Sequence, residues 1–226
     1  MFIGHFAVGL AAKRVAPRLS LPVLFATVVF ADILWPVLVA TGVEVVRIVP
    51  GYTASTPLEF VSYPWSHSLL MLCVWGALLG GVYMAASGSL RSAVVVAALV
   101  VSHWVLDWIT HRPDMPLYPG GPKYGLGLWN SVAGTIAVEV LMFAVGVAIY
   151  VRATRARDRS GRWGFWGLVA FFIAGFVLNS GGAPPSVAAL WISAIVATLL
   201  TLLWAAWVDR HRTNTNAGAA KSRRGH

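Results

Sequence analysis

Six stretches of this chain are long and apolar enough to cross a bilayer: about 21–43, 65–86, 92–111, 128–151, 163–179 and 186–208. Hydrocarbon offers no partner to a backbone N–H or C=O, so a run of about twenty such residues satisfies its own polar groups as a helix. Only 11% of the residues are charged and 58% are hydrophobic, whereas a soluble domain is about 25% charged. The predicted fold is therefore all-α, a polytopic membrane bundle of about six spanning helices. Residues 2–12 are apolar but too short to cross, and read as an interfacial or re-entrant N-terminal half-helix. Ser87-Gly88-Ser89 and Pro119-Gly120-Gly121-Pro122 supply turn chemistry between spans. The organisation is a single transmembrane domain, 1–212, followed by a disordered basic tail, 213–226.

The formal charge of +9 comes from basic residues in short loops and in the tail. They mark topology, and no nucleic-acid partner is expected; membrane lipids are. Fourteen of the seventeen Lys and Arg residues fall on one side of the six-span arrangement: Lys13, Arg14, Arg18, Arg91, the Arg152–Arg162 cluster, Arg210, Arg212 and the tail. Arg47, Arg112 and Lys123 fall on the other. The positive-inside rule then predicts cytoplasmic basic loops and a cytoplasmic C-terminus. Trp65, Trp108, Trp129, Trp163 and Trp207 near segment ends fit an interfacial belt. The N-terminal apolar stretch precedes Lys13 and Arg14 instead of following basic residues, so it reads as retained and not as a secretory signal. Cys73 is the only cysteine, which excludes an intrachain disulfide and a thiolate metal cluster.

Against this background the ionisable residues inside or beside apolar segments stand out: His5, His67, His103, His111, Asp32, Asp107 and Glu139. Such a group in lipid costs several kcal/mol unless paired, ligated or hydrated, so each is a functional candidate. His103-x3-Asp107-x3-His111 places three of them on one helical stripe, at the spacing that helical metal motifs use. His67 follows Pro64 at the start of the second span. Asp32 lies four residues before Pro36, which removes the backbone bond to the Asp32 carbonyl and opens the helix there. His5 stands eight residues before Lys13, about 12 Å from the cytoplasmic boundary if helical. These depths predict convergence in the outer half of the bundle, with His5, Asp32, His67, His103, Asp107 and His111 as metal ligands. Asp32 and Glu139 are the candidate catalytic acids, orienting water or accepting its proton. A mixed His/Asp set suits zinc, or manganese or iron, better than calcium or magnesium. Asp114 and Lys123, with the Gly120–Gly127 stretch, offer contacts for an anionic head group, although loop chemistry alone accounts for the glycines.

The ordered set Met1-Phe2-Ile3-Gly4-His5, Asp32, Ser66-His67-Ser68 and Ser102-His103-Trp104-Val105-Leu106-Asp107 resembles the predicted membrane-bound metal-dependent hydrolases, a bacterial family that includes LexA-regulated inner-membrane proteins. The resemblance covers roughly residues 1–115. It implies a divalent metal and hydrolysis, here of a phosphoester or other lipid-linked substrate at the outer leaflet. The order His5, Asp32, His67, His103, Asp107, His111 is also remotely similar to the ligand order of zinc-dependent phospholipase C and the S1/P1 nucleases. Those enzymes continue with a His-x3-Glu pair, whereas Thr135 precedes Glu139 here, so one or two metals are expected instead of three. Two other readings compete: a proton- or metal-ion-coupled transporter, and a non-catalytic scaffold whose buried polar cluster fixes helix packing.

Overall fold

Serine starts four of the long helices in the computed structural model, which describes residues 1–179 and 182–215. Ser68, Ser89, Ser131 and Ser186 each turn a side-chain oxygen onto a free N–H of the first turn, those of Met71, Ser92, Gly134 and Ala189. This satisfies one of the donors that a helix start leaves unpaired. In chain order the elements are α1 (Ile3–Val15), α2 (Leu21–Val28), α3 (Phe30–Ala40), β1 (Val45–Ile48), β2 (Leu58–Ser62), α4 (Pro64–His67), α5 (Leu69–Ser87) and α6 (Leu90–Thr110). Then follow β3 (Met115–Pro116), β4 (Lys123–Tyr124), a 3₁₀ turn at Leu128–Asn130, α7 (Val132–Ala153), β5 (Thr154–Ala156), α8 (Arg159–Asn179), α9 (Val187–Arg210) and β6 (Arg212–Asn214).

The expected helical membrane bundle is present. Among the described residues five helices, α5 to α9, are long and apolar enough to span, and α2 with α3 meets the same test as a pair bent by 56°, a broken span or a re-entrant loop. The bend corrects one expectation: it falls at Val29 (φ −107°, ψ 24°), upstream of Asp32, and Pro36 lies within α3. The second expected span also divides, because Ser68 is extended (ψ 146°) and leaves His67 on the separate turn α4. Three short antiparallel strand pairs, β1–β2, β3–β4 and β5–β6, tie off the ends of the helices. Arg212–Asn214 pairs with Thr154–Ala156, so the tail expected from residue 213 begins as a strand. Residues 216–226, the rest of that tail, lie outside the described residues.

The bundle is apolar outside, and its largely apolar interior encloses a buried polar cluster. Leu70, Val74, Leu78 and Val82 of α5, and Leu199, Leu200 and Leu203 of α9, are exposed, as lipid-facing side chains must be. The half-helix α1 occupies the middle, running along α7 and touching α2, α6 and α8. Phe6 of α1 meets Phe25 of α2 and Phe172 of α8, with ring centroids 5.1 and 4.3 Å away. Close approach depends on small residues: a Cβ at Gly146 of α7 would run into the backbone of Ala7, and one at Gly76 of α5 into the carbonyl of Ala97. Seated in this way, the N-terminus of α1 comes alongside the polar stripe of α6.

Candidate functional site

Asp107 is the hub. It lies one turn beyond His103 on α6, and both are buried. His103 Nε2 lies 3.0 Å from Asp107 Oδ2, while His67 Nε2 and His111 Nε2 each lie 3.9 Å from the same oxygen. Asp32, carried by α3 just past the bend, points Oδ1 at His67 Nε2 (3.6 Å) and His103 Nε2 (3.7 Å). His5 comes from α1: its Nε2 is 3.0 Å from Asp107 Oδ1, and its ring stacks on His103 at 3.9 Å between centroids. The Met1 amine donates to the same Oδ1 and to Thr110 Oγ1. The structure thus brings together all six residues expected as ligands. Two trios within this set, His5–His103–Asp107 and Asp32–His67–His103, hold their donor atoms within 4.8 Å of one another.

Three of the imidazoles have their second nitrogen engaged by an acceptor. His103 Nδ1 lies 2.9 Å from the carbonyl of Val28, at the bend between α2 and α3. A carbonyl only accepts, so Nδ1 carries the proton and the lone pair of a neutral ring sits on Nε2. That buried Nε2 faces Asp107 Oδ2 at 3.0 Å without a well-aligned hydrogen bond to any of the described residues. His67 Nδ1 lies 2.6 Å from Ser66 Oγ, whose own proton goes to Glu44 Oε2; His67 therefore donates through Nδ1. His111 Nδ1 donates to Asp114 Oδ1 at 2.9 Å. Tyr63 donates to the same Asp114 oxygen, and burial beside Asp114 pushes its phenol well above the usual tyrosine range. The phenol stays protonated and Asp114 stays an acceptor.

The consequence is a set of Nε2 lone pairs aimed at carboxylate oxygens. Lone pair against carboxylate is repulsive unless Nε2 takes up a proton or a metal ion lies between them. Donors bound at about 2.0–2.2 Å around a tetrahedral ion stand about 3.3–3.6 Å apart. The four separations from the Nε2 atoms of His67 and His103 to the facing oxygens of Asp32 and Asp107, 3.0 to 3.9 Å, bracket that value. Ligating histidines characteristically give their other N–H to a carbonyl or carboxylate, which fixes the tautomer. The residues present fit a divalent ion.

Glu139 stands elsewhere. Its carboxylate accepts the backbone N–H groups of Phe2 (2.9 Å) and Gly4 (3.1 Å), capping α1, and it is not among the converging donors. Asp114 supports His111, and Lys123 donates to the carbonyl of Val61, so each is engaged by a separate partner. Sequence reading missed Glu44, which takes the N–H groups of Trp65 and Ser66 as well as the Ser66 hydroxyl. A loop acid twenty-two residues from its partner has no spacing signal. Phe60, Tyr63 and Trp129 surround the His111 ring, with centroids 4.8, 6.1 and 4.1 Å away. Asp32 is the exception to the burial, its side chain 43% exposed, and so forms the mouth of the cluster.

A family model described as YdjM inner membrane protein matches residues 1–212. No curated protein and no solved structure matches the chain.

Proposed function

This chain belongs to the YdjM inner membrane protein family, and from that premise we propose that it is a membrane-embedded metal-dependent hydrolase acting on a phosphoester or another lipid-linked bond at the outer leaflet. One observation carries the reading: three imidazoles hold their Nδ1 protons on acceptors while their Nε2 atoms meet the oxygens of Asp32 and Asp107. Asp32, His67, His103 and Asp107 would hold the ion, with His111 in reach of the same Asp107 oxygen. When bound, zinc, manganese or iron would acidify water and neutralise the charge that develops on a phosphoryl oxygen.

The remaining work falls to the chain itself. His5 Nε2 and the Met1 amine, the latter also donating to Thr110 Oγ1, fix the orientation of Asp107. The Glu44–Ser66 relay and Asp114 hold His67 and His111 in the tautomers that leave Nε2 unprotonated. Asp32, at the mouth, directs one oxygen inward and has the other to take a proton from water. Glu139, engaged by backbone N–H groups, is assigned to positioning α1 and not to proton transfer. The aromatic rings around His111 exclude water from one side of the cluster.

The test is elemental analysis of detergent-purified protein beside His103→Ala and Asp107→Ala, followed by a screen of lipid phosphoesters. Near-stoichiometric zinc, manganese or iron that is lost in folded variants, with metal-dependent turnover, is the expected result. A folded protein that takes up no metal on reloading would sink the proposal.

The bend between α2 and α3 favours a second reading. Its freed Val28 carbonyl contacts the cluster, and broken helices beside polar residues are what ion-coupled carriers use. Metal or proton flux into proteoliposomes, without hydrolysis of any ester, would select it.

A further inference from the structure

At the opposite end of the bundle, where α1, α7 and α9 finish and α8 begins, lies a cavity of about 350 Å³ lined by Lys13, Arg18, Thr154, Arg157, Asp209 and Arg212, among others. Its charge is unbalanced. Asp209 is the one carboxylate in the lining, and it is already engaged by Lys13 Nζ (3.1 Å) and the N–H of Leu21 (3.1 Å). Arg212 is buried, and among the described residues its guanidinium meets no carboxylate: it donates to Thr154 Oγ1 (2.9 and 3.1 Å), the Thr154 carbonyl (3.4 Å) and the Gly161 carbonyl (3.0 Å), and lies over the Tyr150 and Phe165 rings. No carboxylate among the described residues pairs with Arg18, Arg157 or Arg212. A buried cation without a counter-charge is costly, and guanidinium groups match phosphate oxygens with two parallel N–H donors.

The level of the cavity points to the source of the anion. Trp163, in the first turn of α8, and Trp207, in the last turn of α9, are both exposed at this end, as aromatic side chains are at the head-group level. Thr213 and Asn214 of β6 add polar groups to the wall. We propose that this cavity binds the phosphate of an anionic lipid head group, with Arg18 and Arg157 as its accessible contacts and Arg212 as its buried floor. Basic pockets between membrane helices take such head groups. The site stands apart from the His/Asp cluster and does not depend on the hydrolase reading.

The experiment is native mass spectrometry of the detergent-purified full chain, exchanged in separate arms with phosphatidylglycerol, phosphatidylcholine and inorganic phosphate. Retention of phosphatidylglycerol over phosphatidylcholine is expected, falling about fivefold for each charge removed in Arg18→Gln and Arg157→Gln. Both residues are exposed, and Arg157→Glu alone provides a second variant should the pair fold poorly. Lipid retention that millimolar phosphate does not displace identifies the head group as the source. Retention of inorganic phosphate without lipid selectivity, lost in the same variants, would keep the anion site and overturn its assignment to lipid. Equal retention of the two lipids with no phosphate bound, or retention unchanged by the substitutions, would overturn the site altogether.

Discussion

His103 donates through Nδ1 to the carbonyl of Val28, 2.9 Å away, at the bend between α2 and α3. The bend releases that carbonyl from the helix ladder, and the imidazole replaces the lost donor. A single contact therefore satisfies a buried backbone group and fixes which nitrogen of His103 faces Asp32 and Asp107. Local backbone irregularity and site chemistry are the same feature here.

The supporting relay is testable by itself. Ser66→Ala removes the acceptor of His67 Nδ1 and leaves Glu44 with only backbone donors. Metal affinity is expected to fall about 10- to 100-fold while the fold survives, measured by competition with a chelator of known affinity. Unchanged affinity would remove Ser66 and Glu44 from the site.

Asp32 separates binding from turnover. Asp32→Asn keeps the size and an oxygen donor toward His67 and His103 but removes the base. The variant is expected to retain much of its metal and to lose about 10²- to 10⁴-fold in rate on a phosphoester substrate. Full activity would move the proton acceptor elsewhere.

Glu139 is expected to matter for stability and not for metal. Glu139→Gln turns one acceptor into a donor facing the N–H groups of Phe2 and Gly4. A buried donor left without a partner costs about 1–3 kcal/mol, so the thermal midpoint should drop with metal stoichiometry unchanged. Loss of metal without loss of stability would restore Glu139 as a ligand or base.

The seating of α1 rests on Gly146. A side chain there meets the backbone of Ala7, so Gly146→Leu should push α1 from the bundle and move His5 away from Asp107. Overpacking of this kind costs about 1–3 kcal/mol; with the exposed Cys73 first replaced by Ala, His5→Cys should become reactive to thiol reagents in the Gly146→Leu variant alone. Equal reactivity in the parent would mean that α1 is not held in the bundle.

Acidification should release the metal, because bound imidazoles must be unprotonated. Free histidine titrates near pH 6.5, so occupancy is expected to hold at pH 7.5 and fall steeply toward pH 5. Re-addition of metal at pH 7.5 should restore it. Retention at pH 5 in the absence of free metal would argue against imidazole ligation.

Hydropathy alone determined the membrane bundle, its long spanning helices and the short α1, because a bilayer leaves an apolar run of that length one hydrogen-bonded solution. It also singled out His5, Asp32, His67, His103, Asp107 and His111, since ionisable groups in lipid need a reason to be there. Tertiary structure decided the rest. Pro36 was the visible breaker, yet the bend formed at Val29, where the Val28 carbonyl meets His103 on a distant helix. Glu139 looked like a catalytic acid by depth, but the packing of α1 against α7 placed helix N–H groups in front of it. Glu44 carried no signal, being a loop acid whose partner Ser66 arrives only when β1 and β2 pair and bring α4 beside it. Depth and residue type are written in one dimension. Which nitrogen faces which oxygen depends on contacts between segments far apart in the chain, and those exist only once the helices have packed.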